Sequence, residues 1–148
     1  MTAPINVLFL CTGNSCRSVM AEALLNHLGQ GRFTAHSAGS QPTGKVNPGA
    51  LATLARHGIP AGKPESKSWD VFAQRPLDIV VTVCDSAAAE SCPLFISAAG
   101  TKPQKLHWST PDPSHIGGSP DQIVEAFDEA FFMLKERIER LIAKSAAA

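Results

Sequence analysis

Apolar positions along this chain follow two rhythms: short, nearly unbroken runs, and longer stretches in which they recur three and four residues apart. "INVLFL" (Ile5–Leu10) is of the first kind and predicts a buried strand of a parallel sheet. From Arg17 to Leu28 the rhythm turns helical, with Val19, Met20, Ala23, Leu24 and Leu28 on one face. Gly29 is placed to end that helix in the left-handed conformation. "RFTAHSAG" (Arg32–Gly39) is a weaker strand that runs into a loop. Asn47 followed by Pro48 is a helix start, a capping side chain and then a proline at the first turn. Leu51, Leu54 and Ala55 form its stripe, and Gly58 stops it. "DIVVTVC" (Asp78–Cys84) is the clearest strand, β-branched and apolar on both faces. "QKLHW" (Gln104–Trp108) is a fourth, followed by the proline-rich "STPDPS". Ser119 and Gln122 form a capping box around Pro120. The long helix that follows buries Ile123, Phe127, Phe131, Leu134, Ile138 and Leu141.

Strands alternate with helices from end to end. The expected fold is a three-layer α/β sandwich around a mostly parallel four-stranded sheet. Ligands of such sheets sit beyond the carboxyl ends of the strands. Cys11, Cys84 and the "TPDPS" loop each follow a candidate strand, so all three belong on one edge of the molecule.

The 148 residues suit one domain spanning 1–148. The formal net charge is zero, which gives no electrostatic case for nucleic acid or an anionic membrane as main partner. No apolar stretch is long enough to span a bilayer. The N-terminus lacks the basic region of a signal peptide, and its apolar run passes directly into a cysteine loop, so a cytoplasmic location is expected. In a reducing compartment the four cysteines are poor candidates for structural disulfides; catalysis, metal binding and packing are the options.

The loop "CTGNSCRS" carries the chemistry. Gly13 and Asn14 are the residues best able to take unusual backbone angles. A tight turn of Thr12, Gly13, Asn14, Ser15 and Cys16, joined through Arg17 and Ser18 to a helix N-terminus, points successive N–H groups inward as a nest for a tetrahedral oxyanion. Arg17 adds a planar fork of donors. The same positive field favours a thiolate at Cys11, lowering its pKa from about 8.5. A lone cysteine at a strand end is more often a small buried hydrophobe; the strand, the Cys-x5-Arg-Ser pattern and the helix together make it a nucleophile. Cys16 fits the loop, but nothing in its position requires a thiol.

"LFLCTGNSCRSVMAEALLN" resembles the active-site loop and first helix of the low-molecular-weight tyrosine phosphatase fold, and most closely the arsenate reductases built on it. "SAG" at Ser37, "VNP" at Val46, "VVTVCDSAAAESCP" and "HWSTPDPS" follow in family order, so the resemblance covers nearly the whole chain. It implies that Asp112 is the general acid. An aspartate between prolines is also ordinary turn chemistry, and Asp112 takes its catalytic meaning from the loop at Cys11.

Cys84 and Cys92 separate the two activities. A phosphatase needs one thiolate and has no use for them. Reduction of arsenate to arsenite takes two electrons, which two thiols supply on forming a disulfide. The resemblance implies attack of Cys11 on arsenic, then a Cys11–Cys84 disulfide, then a Cys84–Cys92 disulfide. The latter is reset by thioredoxin, a glutaredoxin or a low-molecular-weight thiol. No organic cofactor is implied, and phosphate or sulfate would act as substrate analogues. The alternative is a phosphatase working through a phosphocysteine on Cys11, and a weak phosphatase activity is expected in either case. A non-enzymatic oxyanion or redox sensor is a third class.

Some members of the family bind potassium beside the loop through an asparagine, a glutamate, a serine and an aspartate. Asn14, Glu22 and Ser37 match the first three; Lys67–Ser68 stands where the aspartate would be. A lysine ammonium can replace the cation, so no potassium requirement and no metal are expected. "GSQPTGKV" (Gly39–Val46) is a near miss to a nucleotide P-loop, with valine where the magnesium-binding hydroxyl belongs. The cysteine spacings do not match zinc knuckles, and the five histidines are scattered.

Overall fold

In the computed structural model, four strands form one sheet: β1 (Ile5–Leu10), β2 (Phe33–Ala38), β3 (Ile79–Thr82) and β4 (Gln104–His107). Among the described residues the helices are α1 (Arg17–Leu28), α2 (Pro48–Arg56) and α3 (Pro120–Ala147), with a short 3-10 turn at Trp69–Phe72. The structure describes residues 5–11, 16–29, 31–62, 65–72, 77–83, 104–108, 110 and 118–147. The strand order is β2-β1-β3-β4 and every pairing is parallel, where the sequence predicts a mostly parallel sheet. The chain crosses one way from β1 to β2 and then back past β1 to β3. The crevice beyond the carboxyl ends of β1 and β3 is therefore the topological switch point, the usual ligand position in such sheets.

Both faces of β1 are buried, and alternation divides its side chains between them. Val7, Phe9 and Cys11 enter the core shared with α1, α2 and α3, whereas Leu8 and Leu10 pack on the opposite face with Phe72, Leu77 and Val80. β3 divides likewise, with Ile79, Val81 and Val83 on the first side and Val80 on the second. Burial on both faces explains why these strands read as unbroken apolar runs.

The helix ends follow their residues, with one exception. Asn47 accepts the Gly49 N–H at 2.8 Å and Pro48 occupies the first turn of α2. Ser119 and Gln122 exchange the two bonds of a capping box at 2.9 and 3.3 Å. Gly58 takes φ +70 after α2. Gly29 is the exception: it ends α1 in the right-handed region, at φ −73. A Cβ there would stand 2.6 Å from the Leu25 carbonyl oxygen and 3.1 Å from the Phe33 side chain, so the last turn of α1 and the start of β2 together leave no room for a side chain. The left-handed step falls two residues later, at Gly31 with φ +83. Asn26 binds both the N–H and the C=O of Ala35, at 2.9 and 3.2 Å, and so closes part of the outer edge of β2.

α2 is fastened to α3 by Asp128, whose Oδ1 accepts from Arg56 at 2.7 Å and from His57 at 3.0 Å. The His57 ring stacks on Phe131 with centroids 4.3 Å apart. Beneath this, Gly49 abuts the outer end of the buried Phe127 ring. A Cβ at residue 49 would approach three ring carbons to 2.6, 2.8 and 3.0 Å. Gly49→Ala should therefore lower stability by about 1–2 kcal/mol, the overpacking cost exceeding the gain in helix propensity. A urea midpoint at or above the parent's would contradict the contact.

Candidate active site

Cys11 is the first residue past β1, and its main chain is held by the strands on either side. Its N–H donates to the Ala38 carbonyl at 3.2 Å, and the neighbouring Leu10 carbonyl accepts from Val83 at 2.9 Å. The residue is 5 % exposed and packs with Cys16 and Met20 in the main core. Neither Cys11 nor Cys16 is in a disulfide. A thiol anchored this way has its α-carbon fixed by two neighbouring strands, the rigid mounting a nucleophile needs.

Thr12, Gly13, Asn14 and Ser15 of the predicted anion loop lie outside the described residues. The chain re-enters at Cys16, the N-cap of α1, with φ −132 and ψ −82 and no capping bond from its side chain. The Met20 N–H bonds to its carbonyl at 3.0 Å. Only the span from 12 to 15 separates the carboxyl end of β1 from the N-terminus of α1. The partial positive charge of that terminus, about half an elementary charge, is therefore brought to the edge of the sheet where Cys11 stands. Ser18, in the first turn, is fully buried.

Arg17 makes a contact that the sequence does not reveal. Its Nη1 donates to the Thr110 carbonyl at 2.9 Å, across 93 positions of sequence. Thr110 is buried and its Oγ1 donates to the Trp108 carbonyl at 2.9 Å. The guanidinium thus ties the first turn of α1 to the segment after β4, two residues before Asp112. The partner is a main-chain oxygen, which no residue type announces; only the fold could show it. Asp112, Cys84 and Cys92 lie outside the described residues. The last described residue before Cys84 is Val83, whose bond to Leu10 lays the end of β3 beside the end of β1.

One turn beyond Ser18, Glu22 stands half-buried on α1. Burial raises its carboxyl above the usual glutamate range; the Lys67 charge and the Ser37 hydroxyl and main chain oppose the rise, and Glu65 adds to it. The Ser37 hydroxyl lies in this field without a well-formed hydrogen bond of its own. Lys67 is held near by the main chain: Gly39 N–H donates to its carbonyl at 2.9 Å, and Gly39 and Ser68 form an isolated parallel bridge. The Lys67 charge acts on Glu22, where a cation beside the loop would compete with it. Among the described residues no group of three His, Cys, Asp or Glu side chains could hold a metal. Melting temperatures in equal concentrations of potassium and sodium chloride should therefore agree within about 1 °C, since an ion that binds only the folded state would raise one of them.

The same cluster predicts a pH dependence. A raised folded-state value means that the folded chain keeps the Glu22 proton longer than the unfolded chain. That contribution is complete below 4.5 and is lost as pH rises through the folded value. Glu22→Gln should flatten this fall in stability above pH 4.5, and Lys67→Met should steepen it by pushing the carboxyl higher. Urea midpoints measured across pH would show it; slopes identical in all three proteins would exclude the pairing.

The segment from Gly39 to Val46 is held by side-chain hydrogen bonds, one from within it and one from Ser66. Thr43 Oγ1 donates to the Lys45 carbonyl at 2.8 Å, and Gly44, at φ +81, donates to Ser66 Oγ at 3.2 Å.

The sequence profile of the family described as "Low molecular weight phosphotyrosine protein phosphatase" matches residues 6–147. An arsenate reductase of Bacillus licheniformis is 34% identical over 137 residues, which cover 90% of this chain and 92% of the relative. A solved arsenate reductase in the phosphate binding state superposes with a TM-score of 0.73 at 31% identity, covering 95% of this chain and 98% of the other. The thioredoxin-dependent arsenate reductase of Corynebacterium glutamicum superposes at 0.63 with 27% identity, over 94% of this chain and 64% of that one. A match that starts within β1 and runs to the end of α3 takes in Cys11, Arg17 and every crossover between them and the last helix: the chain belongs to the low-molecular-weight phosphotyrosine protein phosphatase family.

Proposed function

We propose that this protein reduces arsenate to arsenite, with Cys11, Cys84 and Cys92 as a thiol relay. The observation that carries the reading is the seat of Cys11 at the switch point, beside the strand that leads into Cys84. Arsenate is held by the N–H groups of residues 12–18 and by the positive end of α1. The Cys11 thiolate attacks arsenic(V), and an arsenate oxygen leaves as water with the Asp112 proton. The Cys84 thiolate then attacks the Cys11 sulfur. The sulfur–arsenic bonding pair passes to arsenic, which departs as arsenite, and a Cys11–Cys84 disulfide remains. The Cys92 thiolate attacks the Cys84 sulfur, releasing Cys11 as a thiolate and leaving a Cys84–Cys92 disulfide. An external dithiol reduces that bond by exchange and is itself oxidised. We take thioredoxin as that donor in a cytoplasmic setting, with glutaredoxin or a small thiol as the alternatives. Among the described residues no helix is long and apolar enough to cross a membrane.

The test is NADPH consumption with arsenate, thioredoxin and thioredoxin reductase. Steady consumption should fall by on the order of a thousandfold or more in Cys84→Ser and in Cys92→Ser, because residues acting as one unit fail together. Normal turnover in either variant would break the relay. Hydrolysis of p-nitrophenyl phosphate with no arsenate-dependent consumption would assign the protein as a phosphatase.

A further inference from the structure

Thr110 makes two bonds that fix the chain between β4 and Asp112. Its Oγ1 donates to the Trp108 carbonyl at 2.9 Å, two residues back, and so closes a tight bend. Its carbonyl accepts from Arg17 Nη1, also at 2.9 Å. The residue is buried, and a hydroxyl taken out of water needs such a partner. Taken alone, a short bond from a side chain to nearby main chain is ordinary turn chemistry. Here the same residue also offers its main-chain oxygen to the guanidinium at the start of α1, across 93 positions of sequence.

The near end of the bend is fixed as well. The Trp108 N–H donates to the carbonyl of Thr82, the last residue of β3, at 2.8 Å. The Trp108 ring packs on Phe9 with centroids 5.8 Å apart, and Phe9 lies two residues before Cys11, in the same core. Thr110 is thus tied both to the strand that leads to the nucleophile and to the helix that carries Arg17. Asp112 follows after two residues of chain, a reach of at most about 7 Å. We propose that Thr110 is a positioning residue for the proton donor: its hydroxyl sets the bend, its carbonyl meets Arg17, and together they aim the segment that carries Asp112. The inference rests on Asp112 as the proton donor of the reading above.

The test compares the parent with Thr110→Val, which keeps the shape without the hydroxyl, and Thr110→Ser, which keeps the hydroxyl. Two phosphate esters are compared by kcat/KM, which reports the step in which Cys11 takes the phosphoryl group and the ester oxygen leaves. Phenol, with a pKa of about 10, needs the acid's proton to leave. The far more acidic p-nitrophenol leaves with little help. Thr110→Val should lower kcat/KM about thirtyfold for phenyl phosphate and less than about threefold for p-nitrophenyl phosphate, since a small misplacement of a reacting group costs that much. Thr110→Ser should stay within about threefold of the parent on both. A merely structural role would lower both esters alike, because their ratio does not depend on how much of the variant is folded. Equal losses on the two esters, no loss in Thr110→Val, or a Thr110→Ser as impaired as Thr110→Val would each overturn the assignment. So would a parent that cleaves neither ester, since an acid aimed at the anion loop would have produced cleavage. A parent that cleaves the esters but consumes no NADPH with arsenate overturns the reductase reading and leaves Thr110 tested.

Discussion

Cys11→Ser should bring arsenate turnover to background while leaving arsenate bound. A serine hydroxyl is not ionised near neutrality and is the poorer nucleophile, so kcat should fall by on the order of 10⁴ or more. Binding rests on main-chain N–H groups and the helix terminus, which the substitution leaves in place. Removal of the thiolate also removes a negative charge from beside the oxyanion. Calorimetric titration should give an arsenate Kd equal to the parent's or tighter. The residue is buried in the main core, so exchanging sulfur for a hydroxyl costs about 1 kcal/mol of stability, too little to unfold an ordinary domain. Retained turnover, or binding lost together with turnover, would each contradict the role assigned to the thiol.

Arg17→Lys should have the next largest effect, and it separates charge from geometry. Lysine keeps the positive charge at the start of α1 but lacks the planar fork. In the parent, one arm of that fork reaches the Thr110 carbonyl at 2.9 Å. The guanidinium therefore positions the segment that leads to Asp112. Loss of one well-placed donor in an anion site costs about 10²–10³ in kcat. Arsenate KM should change less than tenfold, because the charge remains. A variant whose KM rises while kcat holds would make Arg17 a binding residue only and its tie to Thr110 incidental.

Much of this was legible in the residues because each signal was local. The Asn47–Pro48 start, the Ser119–Gln122 box and the stripe from Phe127 to Ile138 depend on neighbours a turn or two away, and the structure shows them where the pattern puts them. α1 was legible in extent but not in burial. Ser18, Ala21 and Leu25 are buried as well as the predicted face, because the helix is wedged between β2 and α3 and has little solvent side. Ile123, Leu28 and Leu141 reach the core only in part, as expected of residues near helix ends. What the residues could not announce were main-chain partners far away in sequence. The Thr110 carbonyl under Arg17 and the Lys67 carbonyl under Gly39 are oxygens that every residue has. Gly29 shows the same limit from the other side: close approach and left-handed geometry both select glycine, and only the fold tells them apart.

The reduction itself is tested most directly by a single turnover of the fully reduced protein with excess arsenate and no external dithiol. Arsenite is then counted, and the surviving thiols are found by alkylation and peptide mass. One arsenite per chain, with Cys84 and Cys92 joined and Cys11 and Cys16 alkylated, is the predicted result. All four cysteines alkylated and no arsenite released would contradict it.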